Sequence, residues 1–213
     1  MKKMFIATLS VAAMAGVASG DIVNGSFDGG STAGWNQFGG AEGAYNVNFA
    51  GGDMAWAVVA YGTFSGTPNY SGYSQDLGVS GDYSVGDTIS FGGDMYIEDS
   101  KQLFGGNNVN VQLNFWYGTT GTDYGFSVVA GTLDTNSDRD TLYSFAMDYT
   151  LDEGAASATR ISLDFTYVQT DIPGEGVESG AAWGSNFYGN IVPAPGAIAL
   201  FGMAGLARGR RRG

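Results

Sequence analysis

The chain has 213 residues, 36 of them Gly, with no Cys and no His, and 9 basic side chains stand against 21 acidic ones for a net charge of −12. Without His or Cys there is no Ser-His-Asp or Cys-His machinery, no imidazole or thiolate metal ligand and no iron–sulfur cluster, so any catalysis would rest on carboxylates. Between the two ends only Lys101, Arg139 and Arg160 are cationic, against all 21 acids, and this net −18 repels phosphate backbones and argues against a nucleic-acid partner.

Residues 1–20 carry Lys2 and Lys3 ahead of an apolar run from Met4 to Val17, and Ala18-Ser19-Gly20 then places small residues at −3 and −1 of a cut before Asp21. This is the pattern of a secretory signal peptide and predicts an exported product. Export makes the lack of Cys informative, because an oxidising compartment permits disulfides and this fold uses none.

Residues 21–190 read as one β domain. Gly recurs between short segments of alternating apolar residues, and no amphipathic helix stands out. The clearest alternation runs from Asn108 to Tyr117, with Val109, Val111, Leu113, Phe115 and Tyr117 on one face and Asn110, Gln112, Asn114 and Trp116 on the other. Ile161, Leu163, Phe165 and Tyr167 form a second stripe, and Tyr143, Phe145, Met147 and Tyr149 a third. Further strands are expected at Ile22–Phe27, Tyr45–Phe49, Met54–Ala60, Gly72–Leu77, Thr88–Ile97, Tyr124–Ala130 and Ala182–Tyr188. About ten short strands, each with one apolar face, predict an all-β antiparallel sandwich of the jelly-roll kind.

Asn24-Gly25-Ser26-Phe27-Asp28 followed by Gly34-Trp35 resembles the opening of galactose-binding-like jelly rolls, the group that includes many carbohydrate-binding modules. Tyr73-Ser74-Gln75-Asp76-Leu77, Gly86-Asp87-Thr88-Ile89-Ser90-Phe91 and Ala182-Trp183 follow in the corresponding order. The resemblance implies a β-sandwich with a carbohydrate ligand and a structural Ca2+ held partly by Asp28. The chain departs from it in the last strand, where Ser185 and Asn186 stand in place of the expected Asp.

Sugar recognition uses aromatic faces against the C–H patches of a pyranose, with amides and carboxylates bonding its hydroxyls. Gln112, Asn114 and Trp116 lie together on the polar face of one strand, and Asp164 joins them if its strand pairs alongside. The alternative is a merely solvated strand face. Asp134, Asn136 and Asp138 begin the oxygen-ligand spacing of a Ca2+ loop, yet position 6 is Arg139 instead of Gly and position 12 is Phe145 instead of Glu, which favours a plain acidic hairpin loop. With 21 acids some carboxylate pair always falls close together, so no acid and base can be assigned, and the chain is read as non-catalytic.

Residues 191–213 form the third segment. Ile191-Val192-Pro193-Ala194-Pro195 leads into an uncharged stretch from Gly196 to Ala207, followed by Arg208, Arg210, Arg211 and Arg212. The 17 residues from Ile191 to Ala207 sit at the lower limit for a membrane span, and the arginines would be held on the cytoplasmic side. Motif, apolar stretch and basic cluster together resemble the PEP-CTERM sorting signal of exported bacterial proteins, with Ala194 where that signal usually has Glu. The resemblance implies transient membrane anchoring, processing near Pro193-Ala194-Pro195 by an exosortase-type enzyme, and delivery to the cell surface or extracellular matrix. The combined expectation is a surface-sorted, non-catalytic envelope protein that binds polysaccharide. A ligand-free coat or matrix protein, a carboxylate-dependent glycan-active enzyme and an outer-membrane barrel are its rivals.

Overall fold

The computed structural model describes residues 21–48, 54–62, 68–172 and 180–195. The expected leader, residues 1–20, and the tail from Gly196 onward, with Arg208, Arg210, Arg211 and Arg212, lie outside them. Among the described residues ten strands follow one another: β1 Asn36–Phe38, β2 Glu42–Asn48, β3 Met54–Tyr61, β4 Asn69–Val79, β5 Thr88–Tyr96, β6 Asn108–Tyr117, β7 Asp123–Leu133, β8 Leu142–Thr150, β9 Arg160–Gln169 and β10 Ala181–Val192. A four-residue α-helical turn, α1, spans Glu153–Ala156, and 3-10 turns lie at Asp28–Gly30 and Asp99–Lys101.

The strands form two five-stranded antiparallel sheets, ordered β1-β4-β9-β6-β7 and β2-β3-β10-β5-β8. They stack as a sandwich because each strand turns alternate apolar side chains inward. Val109, Val111, Leu113 and Phe115 of β6 and Ile161, Leu163, Phe165 and Tyr167 of β9 are fully buried between the layers. Opposite them lie Ile89, Phe91 and Met95 of β5, while the β8 stripe of Tyr143, Phe145, Met147 and Tyr149 is half-buried because β8 is an edge strand. Burial of large apolar side chains, about 1.5 to 3 kcal/mol each, is the main stabilising term of such a fold. Two separate sheets make a sandwich, not a closed barrel. Among the described residues no helix is long and apolar enough to cross a membrane.

Three sequence expectations differ from this architecture. Ile22–Phe27 is not a strand: Asn24 and Phe27 take left-handed backbone angles, φ 57° and 53°, which break the extended run. The segment instead meets β10 by isolated bonds, Ile22 N to Gly189 O at 3.1 Å and Phe187 N to Gly25 O at 3.1 Å. A Cβ on Gly25 would lie 1.8 Å from Phe187 O, so only glycine permits this approach. The strand β1 is missed because its three residues, Asn-Gln-Phe, carry too little alternation to register. Finally, β10 continues through Val192, pairing Ile191 with Ile89 and Val192 with Thr88, two residues past the expected domain end at 190.

The residues of the jelly-roll resemblance become a plug at one end of the core. Phe27 packs on Trp35, Tyr73 and Phe187 at ring-centroid distances of 5.4, 6.1 and 6.0 Å. Trp35 Nε1 donates to the carbonyls of Val23 and Asn24, each at 3.2 Å, which fixes the loop that the left-handed residues create.

Candidate functional site

In the first sheet β9 is central, flanked by β4 and β6, and β7 closes the edge. Register places Ser74, Asp164 and Gln112 side by side across β4, β9 and β6. The next row carries Ser162, Asn114 and Ser127 across β9, β6 and β7. Paired residues of antiparallel strands share a face, so all of these point away from the core. The pairing of β6 with β9 thus brings Asp164 beside Gln112 and Asn114, with Trp116 further along the same face, opposite Arg160.

They form one hydrogen-bonded row. Ser74 Oγ donates to Asp164 Oδ1 at 2.9 Å and Asn114 Nδ2 donates to Asp164 Oδ2 at 2.6 Å. Gln112 Nε2 donates to Asn114 Oδ1 at 2.9 Å, and Ser127 Oγ donates to the same oxygen. Tyr124 Oη lies 2.9 Å from Ser127 Oγ and ends the row. The alternative of a solvated face is corrected here: Asp164 is 3% exposed, Asn114 6% and Gln112 9%. Buried polar groups stay because they satisfy one another.

The electrostatics follow from that burial. Desolvation pushes the Asp164 carboxyl up to about 6, against the opposing pull of the hydrogen bonds from Ser162, Ser74 and Asn114 and of the Arg160 charge. The three donors and the Arg160 charge favour the ionised carboxyl, and burial favours the protonated one.

Trp116 stands at the end of the row, half-buried. Its Nε1 donates to Ser162 Oγ at 2.9 Å, Tyr124 meets it edge-on at 5.8 Å between centroids, and the Arg160 guanidinium sits 4.7 Å from its ring centre. Arg160 is itself held by Asp76 Oδ1 at 2.8 Å. Tyr124 is 59% exposed and Tyr70 54%, so aromatic surface flanks the polar row at both ends of the sheet face. Ser74, Ser127, Ser162, Tyr124 and Arg160 were not foreseen. Serines carry no pattern of their own, and their place in the row follows only from register.

Gly72 of β4 faces Thr166 of β9 in this sheet, and a Cβ there would lie 1.9 Å from Phe165 O with φ at +152°. The glycine lets β4 press against β9 beside the row. Thr166 Oγ1, buried on the same face, has no hydrogen-bond partner.

The candidate Ca2+ ligands stay apart from the row. Asp28 is exposed at the head of a 3-10 turn over Asp28–Gly30. Asp134, Asn136 and Asp138 lie in the β7–β8 loop, where Asp134 Oδ1 accepts from Asn136 N at 2.8 Å and from Ser137 Oγ at 3.4 Å, so the carboxylate is turned onto its own loop. Among the described residues no three acidic side chains converge as a metal cage. In β10, Asn186 donates to Asp94 Oδ2 at 2.7 Å and Ser185 to Trp56 O at 2.6 Å, the positions where the resemblance expects Asp. The remaining motif residues, Pro193, Ala194 and Pro195, follow β10 at the end of the second sheet.

No protein-family model matches the chain and no curated protein matches it in sequence. Among solved structures its backbone is similar to the CBM22-1 xylan-binding domain of Paenibacillus barcinonensis Xyn10C, with a TM-score of 0.51 and 13% identity over 84% of this chain and 99% of that one. It is similar to the C-terminal family 22 carbohydrate-binding module of Clostridium thermocellum Xyn10B, with a TM-score of 0.51 and 14% identity over 82% and 96%. It is also similar to the Stig cyclase Fisc of Fischerella sp. TAU, with a TM-score of 0.53 and 12% identity over 83% and 99%. At such identities the likeness is one of fold: the chain has the two-sheet jelly roll of carbohydrate-binding modules, a fold that a cyclase also uses.

Proposed function

We propose that this chain is an exported, non-catalytic carbohydrate-binding protein of the cell surface or extracellular matrix, and that it takes an uncharged polysaccharide on the outer face of the β1-β4-β9-β6-β7 sheet. The observation that carries the reading is the row from Ser74 through Asp164, Asn114 and Gln112 to Ser127, ended by Trp116 and exposed Tyr124. Amides, hydroxyls and a carboxylate fixed by one another make a preorganised floor, and the aromatic pair supplies the stacking surface a pyranose needs. The family 22 modules of like fold, described as binding xylan, support a neutral polysaccharide as ligand. The strongly acidic body favours neutral over anionic glycans.

Export rests on residues 1–20, and sorting by an exosortase-type enzyme, with transient membrane anchoring, rests on Pro193-Ala194-Pro195, the apolar stretch and the terminal arginines.

A second reading, a ligand-free matrix protein, is favoured by the burial of Asp164, Asn114 and Gln112, whose hydrogen bonds are spent on one another. Electrophoresis through gels containing soluble neutral polysaccharides separates the two. The native protein is expected to be retarded, and Trp116→Ala and Tyr124→Ala to weaken retardation about tenfold each, the range of one aromatic contact. Retardation by none of the glycans, or retardation unmoved by both substitutions, leaves the matrix reading.

A further inference from the structure

The three residues after β10, Pro193-Ala194-Pro195, hold a single backbone N–H, that of Ala194, because proline has none. That N–H donates to Asp87 Oδ1 at 2.8 Å. Asp87 is 6% exposed and fixed on three other sides: Ser84 N donates to its Oδ2 at 2.8 Å, its own N–H donates to Ser84 O at 3.1 Å, and Leu151 N donates to its carbonyl at 2.8 Å. The acceptor is therefore set by the β4–β5 turn and the end of β8, whether or not the motif is seated. Gly86, at φ +89°, gives the turn a left-handed backbone that favours glycine, and a Cβ there would lie in ordinary contact, 3.5 Å, with Ala194 Cβ.

An enzyme that processes an extended peptide grips it through backbone hydrogen bonds. Here the motif's sole donor is given to a carboxylate of its own domain, a charge-assisted bond stronger than a neutral one. We propose that Asp87 is a positioning residue that clasps Pro193-Ala194-Pro195 to the folded sandwich and withholds the motif from its processing enzyme until this bond opens. The clasp stands on geometry alone, and its consequence for processing rests on the sorting reading above.

Hydrogen exchange of the full chain, resolved to single amides, tests the clasp. Ala194 is expected to be protected at least tenfold over unstructured chain. Asp87→Ala removes that protection while the amides of β6 and β9 remain protected, which reports an intact fold. Asp87→Asn, which keeps a carbonyl toward Ala194, retains part of it and serves if Asp87→Ala does not fold. In the producing cell, mass spectrometry of the C-terminus over time is expected to show tail removal about tenfold faster for Asp87→Ala than for the native chain. Free exchange at Ala194 in the native chain, or exchange unchanged in Asp87→Ala, overturns the clasp. Lost protection with unchanged tail removal overturns the withholding role. A native chain that keeps its tail throughout overturns the sorting reading, and the exchange result then decides the clasp by itself.

Discussion

Asp164→Asn changes one atom at the centre of the polar row. The folded carboxyl titrates near 6 instead of its ordinary 3.8, with burial as the leading cause. Because the folded value is the higher one, the native state binds the proton more tightly than the unfolded chain. The stability linked to this group is fully present below about pH 4 and is lost as pH rises through about 6. At 1.36 kcal/mol per pH unit, raising the folded carboxyl from 3.8 to about 6 makes folding roughly 3 kcal/mol less favourable at pH 7 than well below pH 4. Asparagine keeps the shape without the charge. Its carbonyl accepts from Asn114 Nδ2, and its amide donates to Ser74 Oγ, whose hydroxyl turns from donor to acceptor. Urea unfolding from pH 4 to 8 is therefore expected to show the variant gaining on the native protein with rising pH, equal near pH 4 and ahead by about 1 to 3 kcal/mol at pH 7.5. The difference between the two curves isolates this group from the repulsion among the other acids. A variant less stable by 2 kcal/mol or more at every pH, with no slope in the difference, refutes the argument, since the ionised carboxylate would then be a net contributor.

Other consequences follow from the same contacts. Phe27→Ala empties the aromatic plug between Trp35, Tyr73 and Phe187 and is expected to cost about 3 to 5 kcal/mol in chemical denaturation. Arg160→Ala removes an exposed bridge to Asp76 and the contact over Trp116, so its cost is expected to stay near 1 kcal/mol and to shrink with added salt. Because Asp134 already caps its own loop, millimolar Ca2+ is expected to leave the melting temperature unmoved. A rise of several degrees that Asp134→Ala abolishes would assign that loop as a Ca2+ site.

How far the sequence could be read depends on what kind of order each feature carries. The β6, β8 and β9 stripes are local, and a period of two sustained over several residues marks a half-buried strand wherever it occurs. The left-handed turns at Asn24 and Phe27 defeat that reading, because Ile22, Phe27 and their neighbours have strand-like composition while the backbone serves to deliver one ring into the core. Gln112, Asn114 and Trp116 were visible together because they share one strand. Asp164 was joined to them only on the condition of pairing, and Ser74 and Ser127 were invisible because their role depends on the order β4-β9-β6-β7, which no single segment encodes. The burial of the row was misjudged for a related reason. A polar strand face looks wet until its neighbours are known to supply partners for every amide.

The composition of the row bears on glycoside hydrolysis at that face. Hydrolysis of a glycoside needs two carboxylates facing each other across the scissile bond, about 5 to 9.5 Å apart, one of them free to move a proton. Within the row from Ser74 to Ser127, Asp164 is the sole carboxyl group, and both of its oxygens accept from side chains of the same sheet. Asp76, on β4, is committed to Arg160. A proton arriving on Asp164 would face donors on either side and would first have to reverse Ser74 or Asn114. The raised carboxyl is thus placed to stiffen a surface and not to deliver a proton to a ligand above it, and a chain lying over the row would meet the aromatic edges of Trp116 and Tyr124 before it reached any acid. Under the proposed function, such a surface would contribute orientation and contact area to a bound chain.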